Sequence, residues 1–156
     1  MTQNVVVFLG PCRKVNRRSG DLHPPFSEAS PSGKFLRNIV NAAVPGSVRV
    51  EYDNILETGV FTTDGQECNP MPEQLLAPLL THRIWREADV VIAFSSGVRE
   101  AFEAVKHQLG ATGIEASPLI HFLHHPSYMM RRPQSERTAY GSAIRKILLN
   151  ASLCRS

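Results

Sequence analysis

Three stretches of the chain carry side chains whose types and spacing could do chemistry together. The first is His125-Pro126-Ser127, which follows an apolar run and precedes Tyr128-Met129-Met130-Arg131-Arg132. A histidine at a strand end can donate a hydrogen bond to negative charge developing on a leaving group. Ser127 and nearby backbone N–H groups can hold a phosphate. Tyr128, Met129 and Met130, set beside Arg131 and Arg132, suit a wedge that enters the space a flipped base leaves. The same run also reads as an ordinary strand-to-helix turn. The second stretch is Pro25-Phe26 followed by Ser32-Gly33. Phe26 could stack on a planar ring or plug the core beneath a loop. Ser32 and Gly33 open a helix, where a phosphate is favoured. The third is Asn54, whose carboxamide offers a donor and an acceptor that match the edge of a pyrimidine. Asn54 also reads as a turn former.

The elements that must position these residues alternate between strand and helix. Val5 to Leu9 is a continuous apolar run that ends at Gly10-Pro11 and reads as a buried strand. Phe35, Leu36, Ile39, Val40 and Ala43 recur at helical spacing, with Ser30 as N-cap and Pro31 as first residue; Pro45-Gly46 stops that helix. Val48 to Leu56 reads as a second strand and Glu57 to Pro70 as a long loop. Pro72 opens a helix carrying Leu75, Leu76, Leu79, Leu80 and Ile84, which Pro78 should kink or split. Asp89 to Phe94 is a third strand, and Val98, Ala101, Phe102, Val105 and Leu109 form a helical stripe. Pro118 to Leu123 is a fourth strand, and the last helix covers about Gln134 to Leu149. Alternation of this kind predicts an α/β fold: a three-layer α/β/α sandwich around a four-stranded parallel sheet, with ligands at the carboxyl ends of the strands.

Composition narrows the function classes. The 156 residues fit one domain, 1–156; 42% are hydrophobic and 20% charged. No apolar run approaches the roughly 20 residues of a membrane helix, and no basic region leads into a long apolar stretch at the N-terminus. The expectation is a cytoplasmic protein. The net charge of +3 permits a polyanionic partner, and the basic residues cluster: Arg13, Lys14, Arg17 and Arg18 in one loop, Arg131, Arg132 and Arg137 in another. Cys12, Cys68 and Cys154 are odd in number and widely spaced, which argues against a zinc site, an iron–sulfur cluster or a disulfide framework.

Taken in order, these pieces resemble the uracil-DNA glycosylase superfamily, nearest to its short bacterial branches. Gly10-Pro11 resembles the first motif. Pro25-Phe26, Ser32-Gly33 and Leu36 resemble its Pro-Phe…Ser-Gly…Leu segment. Asn54 with Asn69-Pro70-Met71-Pro72-Glu73 resembles its Asn…Asn-Pro-Thr-Pro-Glu stretch, Asp89 to Gly97 with Ala101-Phe102 its third strand and following helix, and His125-Pro126-Ser127 its last motif. The resemblance spans nearly the whole chain.

The resemblance implies that Phe26 stacks on an extruded base, Asn54 reads its edge, with Gly10 and Cys12 beside it, and His125 stabilises the departing anionic base. Ser32, Gly33, Ser127, Tyr128, Met129, Met130, Arg131, Arg132, Arg17 and Arg18 would contact DNA. The partner would be DNA carrying a damaged or modified base, bound by a monomer without metal or cofactor. One departure matters: the superfamily usually has Asp, Asn or Glu just after the first glycine, and here the stretch reads Gly10-Pro11-Cys12-Arg13. A carboxylate could come from Asp21, Glu28 or Glu57, between which the sequence does not choose. A modified pyrimidine or a deaminated purine is then as plausible a target as uracil. Two alternatives stand beside this reading. A nucleoside deoxyribosyltransferase-like enzyme is supported by Phe8-Leu9-Gly10-Pro11 and Ala88-Asp89-Val90-Val91. A catalytically silent DNA-binding relative is supported by the missing acid.

Overall fold

The computed structural model describes residues 3–15, 19–111 and 118–153. Four strands form the main sheet: β1 (Asn4–Cys12), β2 (Val48–Leu56), β5 (Val90–Phe94) and β6 (Leu119–Leu123). A two-stranded hairpin, β3 (Val60–Phe61) with β4 (Glu67–Cys68), lies between β2 and the helices that follow it. The helices are α1 (Pro31–Ala43), α2 (Pro72–Leu80), α3 (Ile84–Glu87), α4 (Ser96–Ala111), α5 (Pro126–Met129) and α6 (Gln134–Leu153).

All neighbours in the main sheet are parallel, in the order β2-β1-β5-β6. Side chains alternate across a strand, so β1 serves two cores at once. Val5, Val7 and Leu9 pack with α2, α3 and α4 through Leu75, Leu79, Ile84, Ala101 and Phe102. Val6 and Phe8 pack with α1 and α6 through Leu36, Val40, Ile144 and Leu148 on the opposite face. This is the expected three-layer α/β/α sandwich. From β1 the chain builds outward to β2 and then returns past β1 to β5. The crevice above the carboxyl ends of β1 and β5 is therefore the topological switch point at which such sheets bind ligands. Among the described residues no helix is long and apolar enough to cross a membrane.

The structure departs from the sequence-based boundaries in four places. First, β1 does not stop at Leu9 but runs through Pro11 to Cys12. The β1–β5 register ends at Leu9↔Ala93, so beyond it only the β2 side continues, to Cys12↔Leu56, and a residue without an N–H is tolerated there. Second, Pro78 lies inside α2, and the break comes later, at 81–83. There the N–H groups of Thr81 and His82 and the Trp85 indole satisfy the carbonyls of Ala77 and Leu79. Third, the loop after β2 contains the β3–β4 hairpin, whose strands are too short to show a period. Fourth, α6 continues to Leu153.

Ser30 caps α1 as expected, its side chain accepting from the Gly33 N–H at 3.1 Å. Gly33 is there because of a close approach: a Cβ would run into the Ser27 carbonyl oxygen and lie 2.7 Å from the Phe26 carbonyl carbon. Gly33→Ala should therefore cost about 1–3 kcal/mol, the usual scale of overpacking. Thermal denaturation should show the melting temperature falling by several degrees. Gly46→Ala, where a Cβ meets nothing within 4 Å, should leave it unchanged.

Candidate functional site

At the carboxyl end of β1, a small cavity of about 90 Å3 is lined by Cys12, Phe26, Ser32, Asn54 and His125, among others. Two of its walls, Asn54 and Phe26, stand where they do because Gly10 has no side chain. Gly10 is paired in register with Asn54, and a Cβ at Gly10 would stand 2.6 Å from Asn54 Oδ1 and 3.0 Å from Phe26 Cζ. Asn54 is 6% exposed, the one buried polar side chain among the described residues. No hydrogen bond reaches its carboxamide among those residues. The residue is buried but its amide atoms are not sealed off, so the carboxamide stays open to the cavity.

The backbone of Asn54 is held from the other side. β2 is an edge strand, and its outer edge here is covered by side chains instead of by another strand. The Asn54 N–H donates to Asp53 Oδ1 at 2.8 Å, and its carbonyl lies 3.2 Å from His82 Nε2. His82 Nδ1 accepts from the Ile84 N–H at 3.2 Å, so the ring proton is on Nε2 and donates to Asn54 O. Arg83 Nε donates to Asp53 Oδ2 at 3.0 Å and its Nη1 to Glu51 at 2.6 Å, which ties the α2–α3 turn to the strand.

Phe26 forms another wall. Its φ of 50° is the left-handed conformation, unusual for an aromatic residue. Arg37 on α1 holds it there, donating through Nε to Phe26 O at 2.5 Å and through Nη2 to Pro25 O at 3.2 Å, with its guanidinium 4.1 Å from the centre of the Tyr52 ring. The Phe26 ring is 9% exposed, stacks on His125 at 5.9 Å and meets Phe94 edge-on at 5.5 Å. Phe26 is thus part of the core, as the core-plug reading expects, and it also lines the cavity.

His125 is the N-cap of α5. Its Nδ1 accepts from the Ser127 N–H at 3.1 Å and lies 2.9 Å from Ser127 Oγ. A backbone N–H can only donate, so Nδ1 is unprotonated and the ring proton is on Nε2. Burial, and secondarily the Lys14 charge, pushes the His125 pKa down to about 4. The imidazole is therefore a neutral donor at pH 7, without a protein partner for Nε2–H among the described residues. Tyr140 Oη donates to the His124 carbonyl at 2.7 Å and fixes the chain just before His125.

The small cavity adjoins a cleft of about 680 Å3 across the switch point; Cys12, Lys14 and His125 line both. The cleft wall includes Lys14, Ser95, Glu100, Tyr128 and Arg131. Ser95 has a φ of 86° and caps α4 by accepting the Val98 N–H at 3.4 Å. Burial pushes the Cys12 thiol up, so it stays protonated near neutrality.

Several expected residues fall elsewhere. Met129 is not on the exposed lip: it is 6% exposed and packs in the core, because α5 turns it inward while Tyr128 (47%) and Met130 (36%) face out. Ser127 is engaged with His125 rather than left for a phosphate, and the Gly33 N–H is taken by Ser30. Arg132 is paired with Glu136 at 2.5 Å, which leaves Arg131 and Lys14 as the cations lining the cleft. Asp21, Glu28 and Glu57 are exposed and line neither space. Arg17 and Arg18 lie outside the described residues. His124 also reaches the cleft, because β6 ends at Leu123 and strand alternation no longer separates it from His125; its ring packs on Tyr128 at 4.7 Å. Among the described residues no three His, Cys, Asp or Glu side chains gather as a metal site. Arg37, His82 and Glu100 were not singled out by the sequence reading. Arg37 and Glu100 sit on exposed turns of amphipathic helices, and His82 in a turn, where charged and polar residues are ordinary.

No protein-family model matches the chain, and no curated protein matches it. The likeness to uracil-DNA glycosylases rests on the motifs and their order.

The low pKa of His125 has a consequence for folding. Its folded value of about 4 lies below the ordinary 6.5, so the unfolded chain binds the proton more tightly. The stability this contributes is fully present above pH 6.5 and is lost as the pH falls from there through 4. Urea midpoints measured across that window should fall with pH more steeply for wild type than for His125→Gln. Parallel curves would mean that His125 does not titrate as its burial requires.

Proposed function

We propose that this protein is a DNA glycosylase that takes a base out of the duplex and hydrolyses the bond between that base and its sugar. One observation carries the reading: a neutral His125 with its Nε2–H uncommitted and an Asn54 carboxamide without a protein partner among the described residues line the same small cavity, walled by Phe26. The carboxamide can satisfy both a donor and an acceptor on a base edge. A neutral imidazole N–H can meet the negative charge that appears on the base as the bond breaks, and it does so without reorganising. The limited volume of the cavity favours a single-ring base over a fused purine. The adjoining cleft of about 680 Å3 has room for sugar and phosphate, and Lys14 and Arg131 line it. Tyr128 and Met130 are the exposed side chains suited to the gap left in the duplex.

The reaction uses water as its second substrate and calls for no cofactor. A cytoplasmic monomer acting on DNA is the simplest setting for it. The nucleoside transferase alternative is less well supported, because a free nucleoside needs no cleft beyond the small cavity, and Lys14 and Arg131 line that cleft.

Single-turnover cleavage of duplexes carrying uracil, a 5-substituted uracil or hypoxanthine, followed by alkali, tests the reading. Wild type should break at least one strand at the modified base, and His125→Ala should be slower by about 10²–10³-fold while keeping its circular dichroism spectrum. Wild-type rates in a folded His125→Ala protein would remove His125 from the chemistry. Binding without cleavage by wild type would mark a silent relative.

The cations can be tested separately. Each phosphate contact contributes about −0.9 to the slope of log affinity against log salt. Arg131→Ala should flatten that slope by about one unit, whereas Arg132→Ala should change it little, since Glu136 already neutralises that side chain.

A further inference from the structure

The end of β1 lacks a group that can accept the proton of an attacking water. Cys12 lines the cavity, but its thiol is protonated, and Asp21 and Glu28 are exposed outside both spaces. We propose that Glu100, on α4, is the carboxylate that takes that proton. The proposal rests on the glycosylase reading above.

Three observations point to Glu100. Among the described residues it is the one carboxylate that lines either the cleft or the small cavity. It stands one turn into α4, directly after β5, and helical side chains tilt back toward the N-terminus, here toward Ser96 and Gly97 at the strand end. It also forms no ion pair or hydrogen bond among the described residues. Its neighbour Glu103 is paired with Arg99 at 3.6 Å, and Glu136, across the lip, with Arg132. Glu100 is therefore an uncommitted negative charge in a cleft whose other charged side chains are Lys14 and Arg131. Facing DNA phosphates, such a charge opposes binding. Its value lies in the chemistry, where positive charge develops on the sugar.

The step balances as a hydrolysis. The water oxygen forms a bond to C1′ of the deoxyribose, and the C1′–N bond breaks with its electron pair going to the base. His125 Nε2–H donates to the base as it becomes anionic. The water proton goes to the Glu100 carboxylate, which also faces the cationic sugar as the old bond lengthens. Glu100 and His125 thus meet opposite charges from two walls of one cleft.

The test is single-turnover cleavage by Glu100→Gln and Glu103→Gln on the same panel of duplexes, with affinity for each duplex measured alongside. Glu100→Gln should cleave about 10²–10⁴-fold more slowly, the usual share of a general base. It should bind the same duplex as tightly as wild type or more tightly, since a repulsive charge is gone. Glu103→Gln should cleave at the wild-type rate. A merely structural role for Glu100 would lower stability and affinity together. Cleavage by Glu100→Gln within a few-fold of wild type overturns the assignment while the glycosylase reading stands. Failure of wild type to cleave any duplex overturns both.

Discussion

The missing side chain at Gly10 is the constraint on which the site depends. Parallel pairing of β1 with β2 sets Gly10 opposite Asn54, and only a bare Cα leaves room there for a carboxamide and the edge of Phe26. Any larger residue would push Asn54 or Phe26, two walls of the cavity, out of place. Fixing the register of a parallel pair is the work of the apolar core below, where Val6, Val7, Phe8 and Leu9 are fully buried. The dry interior of the sheet thus determines where a polar group meets an empty space at its rim.

Around that space the protein holds groups in states they would not choose alone. Phe26 and Ser95 both have positive φ, and both border the cavities at the strand ends. Strain of this kind persists only where the surroundings over-determine it. For Phe26 the surroundings are the Arg37 hydrogen bonds, the close packing on Gly33 and ring contacts with Tyr52, Phe94 and His125. For Ser95 they are the first turn of α4. The Asn54 carboxamide opens onto the cavity without a protein partner among the described residues, and His125 is kept neutral between Phe26 and Phe94. On the proposed reading these groups are preorganised: the folding energy of the sandwich offsets the cost of holding donors in place before a base arrives.

How much of this is legible in the sequence follows from the range of each interaction. Central parallel strands buried on both faces read as unbroken apolar runs, as β1 and β5 do. The edge strand β2 shows alternation at Val48, Val50 and Tyr52, and β6 a short apolar stretch; with these strands come the ends that carry Asn54 and His125. The β3–β4 hairpin was not legible, because two-residue strands have no period. Met129 and Met130 look interchangeable as a pair. Only the 3.6-residue turn of α5 decides that one is core and the other surface. His82 reaches Asn54 across 28 positions of chain. Nothing local in a His-Arg pair between two helices announces that it covers the free edge of a strand. The candidate acids Asp21, Glu28 and Glu57 lie in loops near the motifs in sequence, whereas Glu100 comes near the site only because α4 starts at the end of a neighbouring strand.

The last point bears on how such a site changes its chemistry. The end of β1 and the start of α4 both open onto the same crevice, because the chain reverses its direction of sheet building between β1 and β5. A carboxylate can therefore be supplied from either element without moving His125, Asn54 or Phe26. On the proposed reading, with a thiol at the end of β1, the wall of Asn54, Phe26 and His125 keeps its geometry and the charge that faces the sugar comes from the helix. The donor for a departing base then comes from the turn after β6, and the acceptor for water from α4. Each is anchored separately: His125 through Ser127 and the Tyr140 bond to the preceding residue, and α4 through the Ser95 cap. A crevice onto which several strand ends and helix starts open lets one site draw its groups from different elements.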